Sequence, residues 1–210
     1  AILRVLAKNG RIDSGDIEFE GNSIYGMKAD KLAHMRQTGV GMIFQDPSSA
    51  LNPVFTIESQ FLTALKYAYN KTKTKSELQK IAIEALESVM LPDPERIMSS
   101  YPFQLSGGMR QRVCIAITIA AGRKVLLADE PGTSLDVTIQ DQILRLINKL
   151  VEEKDLSVIM VSHSLGVIRE TTDIVNIMYA GSIVESGKTD DVFHNPKHPY
   201  TIALMKCVPK

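Results

Sequence analysis

Apolar residues along this chain fall into two regimes, short continuous runs and longer stretches with helical spacing. "GVGMIF" (residues 39–44), "KVLLAD" (124–129) and "LSVIMVSHS" (156–164) are continuous runs that break off into polar residues, the pattern of strands buried on both faces. "SELQKIAIEALESVML" (76–91) opens with Ser76 and Gln79 in capping-box spacing. It places Leu78, Ile81, Ala82, Ala85, Leu86 and Val89 on one helical face, and the two prolines of "LPDPER" end it. "SLDVTIQDQILRLINKLVEEKD" (134–155) repeats that periodicity with Val137, Ile139, Ile143, Leu146, Ile147 and Leu150. A third helix follows "QLSGGMRQR" (104–112) and stops at Gly122. "GDIEFEG" (15–21) alternates like an exposed antiparallel strand, and "DIVNIMYAGSIVESG" (173–187) reads as two strands about a turn at Ala180-Gly181. Buried strands alternating with helices predict an α/β fold on a mostly parallel sheet, with an added antiparallel β segment.

Polar residues stand where the apolar runs end: Gln45 after "GMIF", Asp129 and Glu130 after "VLLA", and His163 after "IMVS". Ligands of open parallel sheets bind at the carboxyl ends of the strands. Any one of these residues alone is an ordinary loop residue; together they aim polar groups at one edge. "QLSGGMRQR" adds a second feature. Glycine is a poor helix former, so Ser106, Gly107 and Gly108 at a helix start point to close approach of something to free N–H groups, an anion site. An ordinary serine cap in a glycine-rich turn is the plainer reading of that run taken alone.

Composition narrows the function classes. The 210 residues carry 24 Lys and Arg against 24 Asp and Glu, so no overall basic field exists to hold nucleic acid. The two cysteines, Cys114 and Cys207, give no disulfide framework and read as packing residues. No apolar stretch reaches the roughly 20 residues that cross a bilayer.

"QLSGGMRQR", then "VLLADEPGTSLD", then "VIMVSHS" resembles the nucleotide-binding domain of an ABC ATPase: signature, Walker B, D-loop and switch histidine in that order. "FQDPSSALNPVFTI" is similar to the Q-loop region of the oligopeptide/dipeptide importers, and "NPKHPYTIAL" to their tail. The resemblance implies a P-loop NTPase-like fold over residues 1–210, with an inserted helical subdomain over 51–121. It implies ATP and Mg²⁺ as ligands. Asp129 and Gln45 would serve the metal, Glu130 would polarise the attacking water, and His163 would sense the γ-phosphate. Gln104, Ser106, Gly107 and Gly108 would contact ATP held by a second subunit, and Asp136 would face the opposite site. Implied partners are a second ATPase subunit in a head-to-tail dimer, transmembrane permease subunits and, indirectly, an extracytoplasmic peptide-binding protein, with no nucleic acid. The implied setting is the cytoplasmic face of the membrane, powering peptide import, and the motif wording leans toward the D-type subunit.

Gly132 and Ser164 depart from the family pattern, at positions that carry no chemistry directly. The larger departure is that no G-x-x-x-x-G-K-[ST] run occurs; the single Gly187-Lys188-Thr189 has Ser182 where the first glycine belongs. "AILRVLAKNGRIDSGDIEFEG" resembles the family's segment just after that loop, so the chain is expected to begin inside the phosphate-loop helix, with the adenine-stacking aromatic upstream. Three other readings stay open. A DNA-repair ATPase would need a coiled-coil or zinc insertion, and residues 45–105 show neither heptads nor a cysteine pair. A translation factor of the superfamily would need a second cassette, and a non-catalytic module would lend its signature to a partner ATPase.

Overall fold

At its start the chain makes a turn rather than a helix end: Arg4 N–H donates to Ala1 O at 2.8 Å, and Arg4 itself has φ +50°. The computed structural model describes residues 1–7, 9–69 and 71–207, which leaves Lys8 of the expected helix-to-strand segment outside. The alternating run after it becomes a short hairpin, β1 (Glu18–Phe19) against β2 (Asn22–Ser23). Its two-residue turn, Glu20-Gly21, has both residues at positive φ, which matches the twist of paired strands.

Helix α1 (Ala29–His34) runs through a π-turn (Met35–Gly39) into β3 (Val40–Ile43). A polar turn with α2 (Pro47–Ala50) leads to the helical segment: α3 (Ile57–Ala68), α4 (Lys75–Ser88), α5 (Pro94–Ser99), a 3₁₀ turn (Pro102–Gln104) and α6 (Gly107–Ala120). Then come β4 (Val125–Asp129), α7 (Val137–Lys154), β5 (Ser157–Val161), α8 (Leu165–Thr171), the hairpin of β6 (Ile174–Tyr179) and β7 (Ser182–Lys188), α9 (Thr189–His194) and α10 (Pro199–Lys206).

The central sheet is β3-β4-β5, all parallel, with Val40 opposite Val125 and Val125 opposite Ser157. Helix α6 packs on it and on α4 together. One continuous core thus joins Phe61, Leu65, Leu78 and Leu86 of the helical segment to Ile115 of α6, Ile43 and Leu126 of the sheet and Leu146 of α7.

Several local expectations shift. Helix α4 begins two residues early, because Thr74 and Glu77 form the capping box in place of Ser76 and Gln79: Glu77 N–H donates to Thr74 Oγ1 at 3.3 Å, and Thr74 N–H to Glu77 Oε2 at 2.7 Å. An ionised glutamate is a stronger acceptor than a glutamine amide, so this box wins. Pro92 does follow the end of α4, but Pro94 starts α5, where a proline at the first helical position loses no hydrogen bond. Val137 is 81% exposed at the head of α7, off the apolar face assigned to it.

Strand β5, expected to be buried, exposes Ile159 (51%) and Val161 (57%). It lies at one edge of the three-stranded sheet, with no further strand paired to it among the described residues. Cys207 is exposed rather than packed. The hairpin of β6 and β7 turns at Ala180-Gly181 as expected, with φ of 48° and 82°.

Candidate functional site

The parallel register brings the carboxyl ends of β3, β4 and β5 side by side, and the residues beyond them meet on one carboxylate. Gln45 Nε2 donates to Glu130 Oε2 at 3.0 Å, and His163 Nδ1 lies 2.6 Å from Glu130 Oε1. Both carboxylate oxygens are therefore engaged, one from each neighbouring strand end. The side chain of Glu130 is 20% exposed and that of His163 is 69% exposed. The hydrogen bond from His163 holds the Glu130 carboxyl below the usual glutamate range, with a smaller contribution from the Thr133 hydroxyl and against the opposing effect of burial. An ionised carboxylate can only accept, so in this contact His163 donates through Nδ1.

The backbone at Glu130 is strained. Its φ is +45°, in the left-handed region that side chains other than glycine seldom occupy, and Pro131 follows directly. Four contacts hold this turn. Glu130 N–H donates to Val161 O at 2.9 Å, extending the sheet by one residue, and Thr133 N–H returns to Glu130 O at 3.2 Å. Ser134 Oγ reaches Gln45 O at 3.1 Å, and Gln111 Nε2 donates to Pro131 O at 2.7 Å. Gly132 is buried against α7: a Cβ there would lie 2.8 Å from Gln140 Cγ and 3.3 Å from Gln140 Cα. The glycine that departs from the family pattern is therefore what lets the turn lie this close to α7.

The remaining candidates lie outside that hydrogen-bonded group. Ser106 caps α6, its Oγ accepting Met109 N–H at 3.3 Å, and Asp136 caps α7 by accepting Ile139 N–H at 3.0 Å. Gln104 Oε1 accepts Tyr101 N–H at 2.7 Å and closes the 3₁₀ turn. Gly107 and Gly108 have a packing role within the chain itself. A Cβ on Gly107 would meet Leu135 Cδ2 at 3.1 Å, and one on Gly108 would meet Ile139 Cγ2 at 2.8 Å. The start of α6 therefore rests directly on the start of α7. Asp129 sits half-buried at the end of β4.

Sequence reasoning missed Gln111, Ser134 and Gln60. Gln60 Oε1 accepts Asn52 N–H at 2.8 Å while its Nε2 donates to Asn52 O and Phe55 O at 3.0 and 2.9 Å, which fixes the loop after α2. None of the three stands out by pattern: Gln60 and Ser134 lie among other polar residues, and Gln111 is flanked by Arg110 and Arg112 in the polar first turns of α6.

Among the described residues no group of three His, Cys, Asp or Glu is gathered to hold a metal ion. The donors that are present suit a different kind of site. Asp129 offers one carboxylate, and Gln45, donating through Nε2, keeps Oε1 as an oxygen ligand. Mg²⁺ is commonly held by one or two protein oxygens, with substrate phosphates and water completing its shell.

A family model described as ABC transporter matches residues 1–133, and one described as Oligopeptide/dipeptide transporter, C-terminal region, matches residues 184–210. The chain is 44% identical over 200 residues to the oligopeptide transport ATP-binding protein OppD of Bacillus subtilis (strain 168), covering 95% of this chain and 55% of that protein. It is 41% identical over 210 residues to the dipeptide transport ATP-binding protein DppD of Haemophilus influenzae, covering 100% of this chain and 63% of that one. It thus spans little more than half the length of these relatives.

Among solved structures, a dimeric ATP-binding cassette in a post-hydrolysis state with ADP and Pi superposes with a TM-score of 0.73 at 28% identity, covering 84% of this chain and 74% of the other. The cbiO1 protein of Clostridium perfringens, at 24% identity and a TM-score of 0.77, shares the fold over 92% of this chain and 72% of its own.

Proposed function

This chain belongs to the ABC transporter family, and on that premise we propose that it serves as an ATP-hydrolysing subunit that energises import of oligopeptides or dipeptides. The observation that carries the reading is the single carboxylate, Glu130, placed at the end of β4 and gripped from both sides by Gln45 and His163. In this arrangement Glu130 is the acceptor that orients and polarises water for attack on the terminal phosphate of ATP. Its contact with His163 holds the carboxyl ionised, and an ionised carboxylate is the form that can accept a proton. While both of its oxygens are occupied Glu130 has little room for water. Productive geometry therefore requires His163 to turn from Glu130 toward the phosphate, which its exposed position allows.

Asp129 and Gln45 Oε1 would hold Mg²⁺, which when bound neutralises charge on the phosphate oxygens. Gln45 joins this centre to the loop of residues 46–55, through which a membrane partner can be felt. The N-terminus of α6, with Ser106, Gly107 and Gly108, would receive the γ-phosphate of ATP held by a second subunit, and Gln104 and Asp136 would flank that contact. Residues 51–121 act in this reading as a helical subdomain that carries the signature. No helix among the described residues is long and apolar enough to cross a membrane. Contact with permease subunits would be peripheral, at the cytoplasmic face. Peptide specificity would lie with those subunits and an extracytoplasmic binding protein.

The reading is tested in liposomes holding the assembled transporter, with labelled di- to pentapeptides outside and Mg·ATP supplied to the ATPase face. ATP-dependent peptide uptake that stops with Glu130→Gln is the expected result. Uptake that persists with Glu130→Gln, or an assembly that hydrolyses ATP and moves no peptide, contradicts it.

A further inference from the structure

Gln111 is the most deeply buried polar side chain near the Glu130 turn, 1% exposed, and it lies on α6, five residues after Ser106. Its Nε2 donates to the carbonyl of Pro131 at 2.7 Å, while its Oε1 meets no donor among the described residues. A buried glutamine with half its amide unpartnered is a poor choice for stability, since an apolar side chain of the same length would bury no orphan acceptor. What the residue gains is one bond, to the peptide immediately after Glu130.

That peptide needs holding. Glu130 occupies the left-handed region at φ +45°, a conformation that persists only where surrounding contacts over-determine it. On the other side of the same turn, α6 is seated on Leu135 and Ile139 through Gly107 and Gly108. Helix α6 and the turn are therefore joined at three places within one short stretch of chain, and Gln111 supplies the only hydrogen bond between them among the described residues.

We propose that Gln111 is a positioning residue for ATP hydrolysis: by donating to Pro131 O it keeps the Glu130 backbone in its strained conformation and so keeps the carboxylate aimed at water. This inference rests on the assignment of Glu130 given above. Through the same bond the helix that carries Ser106, facing one nucleotide, is fastened to the turn that serves the other.

The test uses Gln111→Met in the full chain assembled with its partner ATPase. Methionine keeps length and helix propensity, removes the donor and removes the orphan acceptor as well. The expected result is a kcat for ATP hydrolysis lower by roughly tenfold or more, because small misplacements of a reacting group cost that much. The KM for ATP and the thermal midpoint should stay close to those of the parent. In a Glu130→Gln background Gln111→Met should lower the residual rate no further, since the two act through one group.

A parental kcat, a loss that tracks the midpoint, or an equal fold-loss in the Glu130→Gln background overturns the inference. If Gln111→Met fails to fold, Gln111→Leu repeats the comparison, and failure of both to fold makes Gln111 a structural residue and overturns it equally. Parental hydrolysis by Glu130→Gln alone would instead remove the functional reading on which the inference stands.

Discussion

One methyl group on Gly108 tests how closely the start of α6 must sit on α7. The added Cβ would lie 2.8 Å from Ile139 Cγ2, whereas ordinary contact begins at 3.4 Å, so the two helices must part by about 0.6 Å at this point. Ile139 cannot simply swing away, because Cγ2 sits on its Cβ and a β-branched side chain in a helix has one strongly preferred rotamer. Overpacking of this kind costs about 1–3 kcal/mol, and replacing glycine by alanine in a helix returns roughly 0.5–1 kcal/mol. The net destabilisation of Gly108→Ala is therefore at most about 2.5 kcal/mol, enough to lower the thermal midpoint by several degrees without unfolding the chain.

Activity should suffer more than stability. The displaced element is the one proposed to meet a phosphate, and a misplacement approaching 1 Å costs about 10²-fold in rate, so a loss of at least roughly tenfold is expected for about 0.6 Å. Gly107→Ala is the control: its Cβ meets only the end of the flexible Leu135 side chain, at 3.1 Å, and should do less damage. Steady-state hydrolysis and thermal unfolding of both variants, in the assembled ATPase, supply the comparison. Parental turnover with Gly108→Ala, or a larger loss with Gly107→Ala than with Gly108→Ala, would refute the packing argument.

Two further outcomes need only simple measurements. The Glu130 carboxyl is held below its ordinary range chiefly by His163, so its contacts with His163 and Gln45 should be fully present above the usual glutamate pKa and be lost as pH falls through the lowered value. Carboxyl carbon shifts of Glu130 followed by NMR during an acid titration would show this, and a midpoint at or above the ordinary glutamate value would contradict it. Burial pushes the Cys114 thiol up to about 12, whereas Cys207 is exposed, so an alkylating reagent near pH 8 should modify Cys207 and spare Cys114 in the folded protein. Equal labelling of the two, read by mass spectrometry of peptides, would count against the packing of α6 described above.

The strand-end residues were legible because continuous apolar runs locate buried parallel strands, and the residue after such a strand must lie at the sheet edge. Gln45, Glu130 and His163 could be picked out on that ground alone. That Gln45 and His163 converge on the carboxylate of Glu130 was not legible, since periodicity says nothing about which side chains touch. The exposure of Ile159 and Val161 does not follow from the run itself, since composition shows what a strand can tolerate while the elements packed on it decide what is covered. The capping box slipped by two residues because "TKSEL" and "SELQ" both satisfy the spacing, and only the strength of the acceptor separates them. Gly107 and Gly108 do have close neighbours, but within this chain these are Leu135 and Ile139, at and just before the start of α7. Gln111 escaped notice because a glutamine between Arg110 and Arg112 reads as part of an ordinary polar helix start until its burial and its partner, a carbonyl at residue 131, are known.

Single-turnover hydrolysis by Glu130→Gln in the full chain with its partner ATPase, with ATP binding measured on the same sample, bears most directly on the role given to Glu130. The substitution keeps size and hydrogen-bonding capacity and removes the proton acceptor. The rate should fall by about 10²-fold or more while ATP still binds and accumulates unhydrolysed in the assembled dimer. Binding and hydrolysis lost to the same degree, or a rate within a few-fold of the parent, would show that the carboxylate between Gln45 and His163 supports the fold and is not the group that activates water.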